Sequence, residues 1–297
     1  MKKLYHLNSY LEKKSWGGQT LAKLKNLSTK DLIGESWEVS SYPSKSSSYG
    51  HEKLSHLVHL NYLVKFIHAQ IPLSVQVHPG DEYAQKFENE KGKTECWLVV
   101  DCPEHSYVLL GIKSGISKDD FFMDLQNNRP MDRFLNKVHV KKGDFIVIPS
   151  GLIHAIGGNI LLLEIQQSSG VTYRVWDWDR LEPDGSKRPL HINQAMDNIN
   201  FDEEFNRKFS KIKRSDIFLK YNYLDLIQHP DFKVIYFSFK KGQLINKLMN
   251  KNSAIICLSG EVNIKKYKLQ AFQSLFIPEK QNLSIKAIED SNFVVVW

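Results

Sequence analysis

Cysteine is scarce in this chain: Cys96, Cys102 and Cys257 are the only three among 297 residues. A set this sparse and odd in number excludes a disulfide framework and fits a reducing compartment. Long apolar runs are missing too. No window approaches the roughly 18 uninterrupted apolar residues that a helical membrane span needs. The opening stretch MKKLYHLNSYLEKKSWGG is charged but has no apolar segment of signal-peptide length. Basic residues outnumber acidic ones by 40 to 33, for a formal charge of +7 and a pI near 9.0. The surplus lies in scattered lysine pairs, with no sustained basic block interleaved with aromatics. That distribution argues against nucleic acid as a partner and leaves a mild attraction for an anionic small molecule. A cytoplasmic protein without a membrane partner is the expectation. Nothing in the sequence specifies an oligomeric state.

What is present is a globular composition, 42% hydrophobic and 25% charged, in a chain long enough for one large or two ordinary domains. Most of it reads as short strands separated by Gly, Pro, Asn and Asp: residues 60–70, 95–101, 105–112, 137–151 and 159–169. Residues 118–136 read as helical, with Asp at the start and Pro130 as a break, and 191–201 read as a second short helix. The class is mostly β with a helical insertion at about 117–136. An internal repeat sharpens this. GDFIVIPSGLIHAI (143–156) and FQSLFIPEKQNLSIKAI (272–288) share an apolar strand, an Ile-Pro step, a turn and a second strand. Superposing Pro149 on Pro278, a shift of 129 residues, places Leu283 where the first copy has His154. The expected organisation is an active β domain over 1–219 and a degenerate β domain over 220–297.

The segment SVQVHPGDEY (74–83) alternates Ser74, Gln76 and His78 with Val75 and Val77, so an amide and an imidazole share one strand face. Downstream, Gly143, Pro149, Gly151 and His154 have the spacing of the second cupin signature, G(x)5PxG(x)2H. The glycines permit tight turns and the proline fixes the strand entry. The first cupin signature would supply a polar pair and a following glutamate, the places taken by Gln76, His78 and Glu95 with an insertion between them. The expected fold is therefore a double-stranded β-helix of cupin, or jelly-roll, type followed by a degenerate cupin-like copy. Two neutral imidazoles, a carboxylate and an amide oxygen form a set suited to one divalent ion such as Zn2+.

Taken together, WGG (16–18), GESWEVS (34–40), LVKFIHAQIPLSVQVHP (63–79), GKTECW (92–97), GLIHAIG (151–157), EIQQSSGVTYRVWDWDR (164–180) and KRPLHINQA (187–195) closely resemble type I mannose-6-phosphate isomerases in their short bacterial form. The likeness runs in the family's order from residue 16 to about 195; the C-terminal third resembles the family only in layout. The resemblance implies a zinc-dependent, reversible conversion of mannose 6-phosphate to fructose 6-phosphate, with a sugar phosphate as the partner molecule. It assigns the metal to Gln76, His78, Glu95 and His154, and an active-site role to Arg174. His68 and Gly170 depart from the family's frequent Asp at both positions, which touches fine tuning and no expected ligand.

Other residues follow from position. Lys93, two residues before Glu95, is expected on the same strand face, within reach of a sugar oxygen or the phosphate. Glu164 is a candidate for proton transfer, because burial near a metal tunes a carboxylate. Ser74 and Arg188 are candidates for the phosphate. Asp177, Asp179 and Arg180 are expected to form an alternating charged strand, to which Arg174 would be tied if it were merely structural. Trp16, Trp37 and Trp97 read as core packing. Two rivals stand beside the isomerase. The first is a different metal-cupin enzyme, such as an oxygenase or an isomerase of another sugar. An iron oxygenase would favour a facial set of two histidines and one carboxylate, and Gln76 and the block 164–180 argue against it. A sugar-phosphate sensor without catalysis would have no need of an intact metal set.

Overall fold

All eight residues of Tyr62–Ala69 and all eight of Ile160–Gln167 are buried, because the sheet they share is covered on both faces. By contrast Gln281–Ala287 alternates buried and exposed residue by residue, as a strand does when one face meets solvent. These two patterns mark the middle and the outside of a layered β protein. It is seen in a computed structural model that describes residues 3–127, 129–182 and 184–297.

Four larger antiparallel sheets stack in sequence. The first sheet orders Phe145–Ile148, Glu95–Asp101, Ile160–Gln167, Tyr62–Ala69, Ile33–Val39 and Tyr10–Gly18. Facing it, a second sheet orders Leu135–His139, Tyr107–Ile112, His154–Ile156, Val75–Val77 and Tyr173–Trp176. Between them Trp97, Val99, Ile146, Leu152 and Leu162 form an apolar core. The outer face of the second sheet is covered by the helices Lys118–Gln126 and Ile192–Asn198, with Phe121, Ala195 and Met196 packed on Val77, Leu109 and Tyr173.

The C-terminal sheets repeat this order without counterparts of the edge strands Tyr10–Gly18 and Tyr173–Trp176. Ser274–Ile277, Ser253–Ser259, Ser291–Val296, Lys233–Phe239 and Tyr223–Gln228 take the order of the first sheet. Tyr267–Gln270, Glu261–Ile264, Gln281–Ala287 and Leu244–Met249 take the order of the second. The 129-residue repeat is visible in the strand bounds themselves, since 145–148 becomes 274–277. The two sandwiches share a core in which Val64, Phe66, Leu98 and Ile165 meet Phe232, Tyr236, Phe276 and Val294. The boundary is not purely sequential. Tyr5–Leu7 leaves the first sandwich and adds an edge strand to the C-terminal sheet, pairing with residues 274–276.

Several local expectations shift. The stretch 118–136 is α-helical over Lys118–Gln126, capped by the Ser117 side chain, makes a short 3-10 turn at Asp132–Phe134, and is strand from Leu135 onward; Asn128 lies outside the described residues. The expected strand 137–151 is two strands, turned at Gly143 with φ +86°. The charged strand expected through Arg180 ends at Trp176, because Trp178 and Asp179 both take positive φ (+58° and +52°) and close a turn. Lys93 lies in the loop before Glu95–Asp101, not on that strand. No helix among the described residues is long and apolar enough to cross a membrane.

Candidate active site

Inside the first sandwich each strand changes character along its length. The inward face of Glu95–Asp101 runs from Glu95 through Trp97 to Val99, and that of Ile160–Gln167 from Gln166 and Glu164 to Leu162. One end of the interior is apolar and the other is polar. Pairing sets the polar groups side by side: Gln76 faces His154 on one neighbouring strand and Arg174 on the other. Across the opposite sheet, Trp97, Glu164, Lys65 and Trp37 form one row over four strands.

The structure brings the four sequence-derived ligand candidates together. The ligand atoms of His78, Glu95 and His154 all lie within 4.8 Å of one another, and all three residues are buried. Glu95 Oε2 is 3.4 Å from His78 Nε2, Glu95 Oε1 is 3.6 Å from His154 Nε2, and the Gln76 amide is 3.2 Å from His154 Nε2. Each imidazole donates its Nδ1–H to a backbone carbonyl, His154 to Leu152 at 2.8 Å and His78 to Val171 at 3.1 Å. That fixes the tautomer and turns both Nε2 lone pairs toward Glu95. Burial keeps both rings neutral; for His78, with the Lys93 charge adding to it, the pKa is pushed down to about 3. Burial would raise the Glu95 carboxyl, but the Lys93 charge outweighs it and holds it well below the usual carboxylate range. Two neutral imidazoles, an ionised carboxylate and an adjacent amide are a donor set that fits a divalent ion of zinc type.

Lys93 is buried, with Nζ 3.0 Å from Glu95 Oε2 and 3.2 Å from His78 Nε2, so a solvated turn lysine is excluded. Above the cluster lies a cavity of about 400 Å3, lined by Ser74, Gln76, Lys93, Glu164, Arg174 and Arg188 and also by Lys14, Lys45, Lys65, Glu35 and Trp37. Six cations against two carboxylates make it electropositive, suited to an anionic ligand. Arg174 donates Nη1 to the Pro189 carbonyl at 2.6 Å, while its buried Nε has no hydrogen-bond partner among the described residues. The carboxylates expected to brace it are held by others, Asp177 by Arg188, whose Nε donates at 2.8 Å, and Asp179 by Lys187, whose Nζ donates at 2.9 Å. Arg188 also sits 3.4 Å from Glu182, so its charge is already shared between two carboxylates.

The sequence did not mark Lys14, Lys45, Lys65 or Glu35 as residues of this site, and it marked Trp97 only as core. Lys65 is buried, 3.2 Å from Glu164 and 3.7 Å from Glu35, with Nζ 4.3 Å over the Trp37 ring. Glu164 and Glu35 keep it charged, more firmly than in water, against the burial that opposes it. Burial and the negative charge of Glu95 raise Glu164. Trp97 is not only core: its Nε1–H lies 3.0 Å from Glu95 Oε1 and 3.3 Å from Glu164 Oε2. The available signal was Lys65 set in the apolar run LVKFI; Glu35, in IGESWEV beside Ser36 and Glu38, carried none.

No family model matches the chain. It is 38% identical over 210 residues to a mannose-6-phosphate isomerase of Streptococcus mutans, covering 64% of this chain and 66% of that protein. It is 36% identical over 213 residues to GmuF, a probable mannose-6-phosphate isomerase of Bacillus subtilis, covering 65% and 67%. The aligned stretch thus spans about two thirds of the relatives' length. The crystal structure of a Bacillus subtilis mannose 6-phosphate isomerase superposes over 100% of both chains with a TM-score of 0.82 at 24% identity. A zinc-bound mannose 6-phosphate isomerase superposes with a TM-score of 0.77 at 15% identity, over 100% of this chain and 99% of that one. At those identities the structures carry the fold alone. Fold and site define a paired β-sandwich protein with a buried histidine–carboxylate cluster in one sandwich. Within that class the chain belongs to the mannose-6-phosphate isomerase family, a family of isomerases.

Proposed function

We propose that this protein interconverts mannose 6-phosphate and fructose 6-phosphate with one divalent ion, zinc by donor chemistry, held by Gln76, His78, Glu95 and His154. The observation that carries the reading is the buried His78–Glu95–His154 cluster beneath an electropositive cavity of about 400 Å3. Residues 1–219 would be the working unit and 220–297 the metal-free one.

The reaction moves a proton between C2 and C1 of the sugar through an enediol, so a base must carry the proton and the developing oxyanion must be stabilised. The bound ion would supply Lewis-acid polarisation of the carbonyl. The protein's own groups do the rest. Glu164 is the candidate proton carrier, because burial and Glu95 raise it toward the range where a carboxylate takes and returns a proton. Lys65 keeps that carboxylate in place at 3.2 Å. Arg174, with an unpartnered Nε in the cavity wall, adds a fixed cation that needs no reorganisation as charge develops. Lys93 offers a compact charge beside the cluster, for a sugar oxygen or the phosphate. Ser74 and Arg188 lie in the same wall as phosphate contacts. Ile156 adds an apolar patch to the cavity wall, within the same apolar cluster as Trp97 and Leu162.

A coupled assay for fructose 6-phosphate formation from mannose 6-phosphate, run with and without a chelator, tests this. Turnover that a chelator abolishes and zinc restores is the expected result; full activity in metal-free protein overturns it.

A further inference from the structure

Trp97 has a single N–H and no acceptor, and that one donor lies between two buried carboxylates, 3.0 Å from Glu95 Oε1 and 3.3 Å from Glu164 Oε2. The residue is fully buried, and its ring stands edge-on to His154 with centroids 5.4 Å apart. Register makes the placement unavoidable: Trp97 follows Glu95 by two on one strand face and pairs directly with Glu164 on the next strand. Resting on the metal reading above, we infer that Trp97 is a positioning residue, whose shared N–H fixes the Glu95 carboxylate for the ion and holds Glu164 beside it.

The physical reason is that Glu95 cannot orient itself. Oε2 is engaged by Lys93 at 3.0 Å, and Lys93 is a rotatable point charge on a long stem. Oε1 faces His154 Nε2 at 3.6 Å, where a neutral imidazole offers only a lone pair because its proton is on Nδ1. Among the described residues the indole N–H is thus the one directional donor on Oε1. It is neutral, so it aims the carboxylate without competing for the ion as a charge would. The same N–H damps the repulsion between two carboxylates that share a dry interior. Outer-shell donors of this kind typically change metal affinity by about 10- to 100-fold.

The test measures zinc affinity of the full chain by competition with a chromogenic chelator. Trp97→Phe removes the N–H and should weaken zinc binding by about 10-fold or more. Phe is smaller, so a second variant carries the benzothienyl analogue of tryptophan at position 97, where sulfur replaces the N–H and the shape is kept. That variant should melt like wild type when metal-free and still show the weakened zinc binding. Unchanged zinc affinity in the benzothienyl variant, with wild type binding zinc and His154→Ala not, overturns the inference and leaves the metal site standing. Wild type that takes up no zinc overturns the metal reading and this inference with it.

Discussion

His154 faces Gln76 across neighbouring strands, and in the C-terminal sandwich the same two strand positions hold Leu283 facing Lys247. The correspondence extends further. Glu95 pairs with Ile148, and its counterpart paired with Ile277 is Ser253; one position beyond the strand Val75–Val77, His78 has the buried Met249 as its counterpart. One sandwich therefore holds donors where the other holds a leucine and a methionine in its core.

Leu283 is 2% exposed among Val262, Ile285 and Phe293. Leu283→Ala should destabilise the protein by about 2–5 kcal/mol, the range for a buried leucine that leaves a cavity. Its bound metal per folded chain should stay that of wild type. Denaturant unfolding together with elemental analysis checks both; a loss of metal in the folded variant would contradict the assignment of the second sandwich as metal-free.

His154→Ala and Glu95→Ala should each lose bound metal and activity together, since each removes a donor from the cluster. His229→Ala should keep both. His229 stacks on Phe232 at 4.9 Å and accepts the Asp231 N–H through Nδ1, a local packing role in the C-terminal half. Metal content and turnover of the three variants, measured side by side, separate a site histidine from a structural one.

The clustering of these residues was legible because much of its spacing is local: Gly143, Pro149 and Gly151 deliver His154, and a two-residue period delivers Gln76 beside His78. The duplicated sheet order was legible in outline from one Ile-Pro step. The row Trp97–Glu164–Lys65–Trp37 was not, because it exists only across four strands from distant parts of the chain. The exchange of Tyr5–Leu7 into the C-terminal sheet was hidden for the same reason: three residues carry no period. The charged strand was misread because alternation in WDWDR imitates a β pattern, while Trp178 and Asp179 in the left-handed region make it a turn.

Glu35 gives a pH-dependent test of the Lys65 network. Burial opposes its ionisation, but Lys65, Lys14 and the Trp37 N–H at 2.8 Å bring its pKa down from 4.5 to about 2. A carboxyl lowered on folding contributes stability that is present above pH 4.5 and lost as pH falls toward 2. The gap corresponds to about 3 kcal/mol. Glu35→Gln should therefore be less stable than wild type by about that amount at neutral pH, and the two should converge between pH 4.5 and 2. A constant difference across that window would show that the carboxylate charge is not what stabilises the network.

Arg174 is where bracing and chemistry lead to opposite outcomes. Its expected braces, Asp177 and Asp179, are taken by Arg188 and Lys187, and among the described residues the Arg174 guanidinium holds the Pro189 carbonyl through Nη1 while Nε has no partner in the cavity wall. Arg174→Lys keeps a charge but loses the planar fork and shortens the reach. If the guanidinium stabilises charge that develops only in the transition state, the turnover number should fall much more than substrate affinity. The loss of one such donor is typically worth about 10² to 10³ in rate. Thermal stability should change little, because no buried ion pair is broken. Turnover, KM and melting temperature of this one variant decide the matter. A destabilised Arg174→Lys with normal turnover would make Arg174 a structural residue, and the metal cluster and Glu164 would then carry the chemistry without it.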